Sequence, residues 1–127
     1  MAIGVKLVSN EEASPEVKQL FEQIEKQMGF IPPTMRAMAN KPEYLKLFLE
    51  KSRVVMGSGK IDGKTKLFVA LTVSILNNCE MCITTYTNKL KEAGVTDEEI
   101  VELLSIIDLV GGLNHFNNGL MIKPSEK

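Results

Sequence analysis

The chain is short of several groups from which functional sites are often built. Its 127 residues include no tryptophan, one histidine (His115) and two cysteines. A tetrahedral zinc site of sulfur and nitrogen ligands needs four such groups, so a four-cysteine site would require two chains to meet. The net charge is −1, from 15 basic and 16 acidic residues. They are interspersed, with no basic stripe of the kind nucleic-acid binding uses, and no nucleic-acid partner is expected. The longest apolar stretch, LFVALTVSIL, is too short to span a bilayer. The opening MAIGVKLVSNEEASPE has no long apolar segment, so no secretory signal is expected. The residues predict a cytoplasmic protein without membrane association.

What is present reads as helix almost throughout. Hydrophobic residues make up 44% and charged residues 24%, a globular balance that suits one domain with its own core. Ser14 and Pro15 form an N-cap and first-position pair. Val17, Leu20, Phe21, Ile24 and Met28 then recur at helical spacing until Gly29. FIPP is a rigid connector. TMRAMAN reads as a short helix, and KPEYLKLFLEKSRVVMG as a longer one carrying Tyr44, Leu45, Phe48 and Leu49 on one side. GSGKIDGK is the clearest loop, a helix connection or a hinge.

TKLFVALTVSILNN is apolar around nearly its whole circumference, which predicts a helix buried on most sides; its β-branched content leaves a strand open. Asn77 and Asn78 break the run and are expected to cap the next segment. CEMCITTYTNKLKEAG predicts a helix ended by Gly94. Thr96 and Glu99 have capping-box spacing for the last helix, whose expected buried stripe is Ile100, Leu103, Leu104, Ile107 and Val110. Gly111 and Gly112 would kink it or admit a close neighbour. The predicted fold class is all-α, a single-domain bundle of about six helices. An N-terminal extension covers 1–13, the domain 14–122, and a frayed tail 123–127.

Cys79 and Cys82 carry the chemical signal. On a helix from 79 to 93 they lie one turn apart on one face, with Tyr86 a turn later. Cys79 falls in the first turn, where unpaired N–H groups and the helix dipole favour a thiolate. The second thiol can close a disulfide on the oxidised first one, logic that serves both dithiol–disulfide exchange and peroxide reduction. Two inert buried thiols, and a zinc ion held between chains, remain alternatives.

The segments KQMGFIPPTMRAMANKPEYLKLFLE and IDGKTKLFVALTVSILNNCEMCITTYTNKLKEAGVTDEEI resemble the carboxymuconolactone decarboxylase family in its alkylhydroperoxidase D-like (AhpD-like) branch, from about Ser14 to about Leu120. The resemblance implies an all-helical homo-oligomer, a trimer or a hexamer. It also implies a redox-active Cys79–Cys82 disulfide with no further cofactor, a peroxide or disulfide substrate, and a dithiol reductant protein of lipoyl-bearing or thioredoxin-like type. The peroxidase members share a motif similar to E-x(11)-C-x-x-C-x(3)-H, some with a histidine just before the second cysteine. Here the cysteines match, but the glutamate position holds Leu67, the final histidine position Tyr86 and the inner histidine position Met81.

The expected function is therefore thiol–disulfide exchange, with weak peroxide reductase activity because the proton relay is missing. Tyr86, with a reference pKa near ~10, would donate a hydrogen bond to a thiolate at Cys82 rather than accept its proton, or else fill a core or interface. Glu80 is expected to be solvated. Asp108 and His115, two turns apart, form a conceivable buried pair that does not replace the relay. A decarboxylase-type enzyme and a non-catalytic redox-sensing or interaction oligomer are the other readings.

Overall fold

The structure, a computed structural model, describes residues 4–125. Residues 1–3 of the expected extension and 126–127 of the expected tail lie outside the described residues. Six α-helices and no strand occur among them: α1 (Pro15–Met28), α2 (Pro33–Met38), α3 (Pro42–Met56), α4 (Gly63–Leu76), α5 (Glu80–Glu92) and α6 (Asp97–Leu120). The all-α, six-helix expectation holds. The chain divides into two compact units with the boundary between Gly57 and Ser58, at the start of the glycine-rich GSGKIDGK loop. The expected domain over 14–122 spans both.

In the first unit, Ser14 caps α1 by accepting the Val17 N–H at 3.3 Å, and Gly29 ends the helix in a left-handed conformation. These caps leave Val17, Phe21 and Ile24 on one buried face, with Leu20 and Met28 at its edge. That face packs with Leu45 of α3, Ile31 and Ala39. Val8 and Ala13, ahead of α1, join the same core. Arg36 holds that segment: its backbone oxygen accepts the Val8 N–H at 3.2 Å and its guanidinium donates to the Val8 oxygen at 3.0 Å. The same guanidinium lies 5.1 Å from the centre of the Phe21 ring. On α3 only Leu45 is fully buried, and Tyr44 is exposed, so the predicted four-residue side is narrower than its pattern.

The second unit is built on α4 packed against α5. Asp62 caps α4, accepting the Thr65 N–H at 2.8 Å. That bond, with help from the Thr65 hydroxyl, holds the Asp62 carboxyl below the usual carboxylate range. The β-branched run is helical, and its hydroxyls are satisfied along the helix itself. Thr72 donates to the Phe68 oxygen at 2.8 Å, and buried Ser74 donates to the Ala70 oxygen at 2.7 Å.

Leu71, Leu90 and Val95 form the core of this unit, with Leu67, Phe68, Ile75, Ile83, Tyr86, Ile100 and Leu103 packed around them. Gly94, with φ +87°, closes α5 in a Schellman turn. The Val95 N–H bonds to the Leu90 oxygen and the Gly94 N–H to the Lys91 oxygen, both at 3.0 Å. The Leu90–Val95 packing is the apolar contact that accompanies this turn. The Val95–Leu90 backbone bond thus also fastens two core side chains.

Thr96 caps α6, as its spacing predicts, accepting the Glu99 N–H at 3.2 Å. The Glu99 carboxylate pairs with Lys64 at 2.9 Å, joining the start of α6 to the start of α4. Two expectations are corrected here. α4 is not buried on most sides within the chain: Leu71 and Ser74 are buried, whereas Val69, Val73 and Leu76 are exposed. α6 packs through Ile100 and Leu103 near its start and Ile107 is half-buried, whereas Leu104 and Val110 of the predicted stripe are exposed. The helix runs unbroken through Gly111 and Gly112.

Candidate functional site

The two cysteines sit at the corner between α4 and α5. α4 closes at Asn77, and Asn78 takes φ +56°, a left-handed conformation that glycine or asparagine tolerates best. The Asn78 N–H donates to the Ile75 oxygen at 3.1 Å and the Cys79 N–H to the Ser74 oxygen at 2.9 Å. This is a second Schellman turn, with Asn78 in the usual glycine place. It leaves three residues between the helices, and the last of them, Cys79, is the N-cap of α5.

Cys79 has extended backbone angles, and its Sγ accepts the Cys82 N–H at 3.3 Å. The sequence pattern puts it inside the first turn with Asn77 or Asn78 as cap. The structure moves the capping role to the sulfur itself, because both asparagines are consumed in closing α4. Of the three residues between the helices, Asn77 and Asn78 form the end of α4 and only Cys79 is left to open α5.

Cys79 and Cys82 form a disulfide with Cα atoms 5.2 Å apart, inside the usual range for such bridges. Both are part-buried. The Cys82 N–H is one of the orphan donors of the helix start and lies where the dipole is positive. A reduced Cys79 sulfur would therefore meet a hydrogen-bond donor and a favourable field together, the two conditions that lower a thiol pKa.

The other singled-out residues divide sharply. Tyr86 is part-buried against the Leu71, Leu90 and Val95 core, with the Lys89 ammonium 5.7 Å from its ring centre. Leu67 packs on the same cluster. Two of the three positions where the motif carries acid–base groups are therefore occupied by core-filling side chains. Met81, at the third, is exposed, as is Glu80, which matches its expected solvation. Asp108 and His115 are also exposed, so the conceivable buried pair does not form within the chain. No cluster of three or more histidine, cysteine, aspartate or glutamate side chains able to hold a metal occurs among the described residues. No helix among them is long and apolar enough to cross a membrane.

Comparison with known proteins agrees with this arrangement. A family model described as the carboxymuconolactone decarboxylase family matches residues 42–122. The crystal structure of an alkylhydroperoxidase AhpD core from Rhodospirillum rubrum superposes with a TM-score of 0.88 at 31% identity, covering 99% of this chain and 96% of that one. An uncharacterised peroxidase-related protein from Silicibacter shares the fold, with a TM-score of 0.66 at 15% identity over 98% of this chain and 70% of that one. Among curated relatives, an alkyl hydroperoxide reductase AhpD of Mycobacteroides abscessus is 30% identical over 59 residues, 46% of this chain and 34% of that protein. Uncharacterised protein 4 of a cox locus in Paracoccus denitrificans is 33% identical over 57 residues, 45% of this chain and 51% of that protein. The matches thus span about half and about a third of these curated relatives.

Proposed function

The chain belongs to the carboxymuconolactone decarboxylase family, and from that premise we propose that it is a thiol–disulfide oxidoreductase working through Cys79 and Cys82. The observation that carries the reading is the pair's geometry: two bridged sulfurs at the start of α5, that of Cys79 capping the helix and that of Cys82 in its first turn. Oxidation converts the two thiols to the disulfide and releases two electrons and two protons. A disulfide substrate takes them up to become two thiols; a hydroperoxide takes them up to become an alcohol and water. A dithiol protein, lipoyl-bearing or thioredoxin-like, restores the thiols by the same exchange. The bridge is the only redox group required, and the cytoplasm supplies such reductants.

Peroxide reduction is the slower of the two activities. Leu67, Met81 and Tyr86 supply no general base, and a positioned base typically contributes ~10²–10⁴-fold. Exchange with a disulfide depends more on thiolate character, which the helix start provides. The likeness to the Rhodospirillum AhpD core supports the placement in a redox branch rather than a decarboxylating one.

The working form is a homo-oligomer. α4 exposes Val69 and Val73, and α6 exposes Leu109, Leu113, Phe116 and Leu120. Helices apolar on most sides are ordinarily buried, and a second copy of the same chain is the cover that closed symmetry provides.

Titration of the thiols in graded dithiol redox buffers tests the function. A reversible two-electron couple at a cytoplasmic potential is the expected result, and thiols that stay inert under full oxidant would defeat it. Stoichiometric zinc that blocks thiol labelling in the purified oligomer would replace it with a structural site. Peroxide turnover with a dithiol reductant should be slow in the native protein and lost in Cys82→Ser.

A further inference from the structure

We infer that the two cysteines have fixed and unequal roles: Cys79 attacks the substrate, Cys82 resolves the intermediate, and Asn78 is the positioning residue that makes the difference. This assignment rests on the oxidoreductase reading and adds an order to it.

Two independent observations separate the sulfurs. The first is local to Cys79. Its Sγ is the N-cap acceptor for the Cys82 N–H at 3.3 Å. In the bridged form that sulfur is a weak acceptor; as a thiolate it carries a full charge against the same donor and the same dipole. Reduction therefore strengthens the cap, and the strengthened cap holds the charge on Cys79. Cys82 donates its own N–H to this bond, so the backbone at Cys82 supports the other thiolate rather than its own.

The second observation concerns Cys82. Tyr86, one helical turn further on, stands where the resembling motif carries a histidine and is packed into the Leu71, Leu90 and Val95 core. It brings no imidazole to Cys82. Cys82 is left as the ordinary thiol of the pair, suited to a second step that needs only proximity.

Asn78 joins these features. Its left-handed conformation lets the Cys79 N–H reach the Ser74 oxygen while the Cys79 sulfur turns to α5. Cys79 is thereby fixed at both ends, its nitrogen to the helix behind it and its sulfur to the helix ahead.

With a disulfide substrate, the Cys79 thiolate attacks one substrate sulfur. The Cys79–substrate S–S bond forms and the substrate's own S–S bond breaks. The released thiolate takes a proton, and Cys82 loses one to solvent. Cys82 then attacks the Cys79 sulfur, forming the internal bridge and expelling the second substrate thiolate. The chain is oxidised by two electrons and the substrate is reduced by two.

Iodoacetamide alkylation followed against pH tests the order with one thiol present at a time. In Cys82→Ser the backbone N–H at residue 82 remains, so Cys79 keeps its cap. In Cys79→Ser the hydroxyl caps α5, so the helix persists around Cys82. The alkylation midpoint of Cys79 should lie about one pH unit below that of Cys82, giving roughly tenfold more thiolate where both are mostly protonated. Mixed-disulfide formation with dithiodipyridine should favour Cys79 in the same direction. Within the Cys82→Ser background, Asn78→Gly should preserve the Cys79 midpoint and Asn78→Val should raise it. A Cys82 midpoint at or below that of Cys79, or an Asn78→Val midpoint unchanged in a folded protein, would overturn the assignment. These rates require no turnover. Unequal thiols in a chain without exchange activity would sink the oxidoreductase reading alone, and turnover with the order reversed would sink this one alone.

Discussion

Installing the missing proton relay is the sharpest challenge to the reasoning about activity. Leu67→Glu combined with Tyr86→His places a carboxylate and an imidazole at the motif positions that Leu67 and Tyr86 now fill with apolar bulk. Both side chains pack on the Leu71, Leu90 and Val95 core, so the substitutions cost stability. A carboxylate at the part-buried Leu67 position costs roughly 1–3 kcal/mol without a full set of partners. Shrinking Tyr86 to an imidazole forfeits about 1 kcal/mol of packing. The sum, about 2–4 kcal/mol, corresponds to a fall in thermal midpoint of about 10 °C for a chain of this size. The return is catalytic: a relay that takes the thiol proton should raise cysteine-dependent peroxide turnover by ~10²-fold or more, equivalent to about 2.7 kcal/mol of barrier. The assay is hydroperoxide consumption with a dithiol reductant, run beside far-ultraviolet circular dichroism to establish that the variant is folded. The single substitutions should each give little, because the relay needs both groups. A folded double variant with no gain that Cys82→Ser abolishes would refute the claim that proton handling limits the native site.

The described structure carries four further expected outcomes. The Asp62 carboxyl is held below its ordinary range by the Thr65 N–H. Its stabilising effect is therefore present above the usual carboxylate pKa and lost as pH falls through the lowered value; thermal melts of wild type and Asp62→Asn should converge on acidification. Gly94→Ala should destabilise by about 1–2 kcal/mol in denaturant titration, a conformational cost of φ +87°, since nothing lies within 4 Å of the added carbon. Gly112→Ala, within a helix and equally free of close neighbours, should stabilise the dissociated chain by about 0.5–1 kcal/mol. Phe116→Asp, on the exposed face of α6, should shift sedimentation velocity toward smaller species; an unchanged distribution would place the association surface elsewhere.

The six helices were legible because each carries its own boundary chemistry. Ser14, Thr96, Gly29 and Gly94 act where their residue types predict, since caps depend on neighbours three or four positions away. What periodicity could not supply was the partner for each apolar face. The runs over α4 and α6 look alike in sequence, yet the chain covers α4 mainly along the α5 side and covers α6 chiefly at Ile100 and Leu103. The cysteine pair was legible as a pair, but its asymmetry was not. That asymmetry depends on Asn78 adopting a left-handed angle, which a residue name permits without dictating. Asp108 and His115 misled for a related reason: an apolar sequence neighbourhood is not burial, and along α6 the two part company.

The sulfur cap also bears on how such a chain can change over generations. Cysteine and serine codons lie a single base apart, and serine is among the preferred residues for opening a helix. A lineage can thus exchange Cys79 for serine, silence the proposed redox couple and leave the α4–α5 corner standing. Asn78 enjoys no such freedom, because few side chains accept its backbone angle. The proposed chemistry is held by the more replaceable residue and the architecture by the less replaceable one, so descendants that keep the shape without the cysteine pair are readily reached.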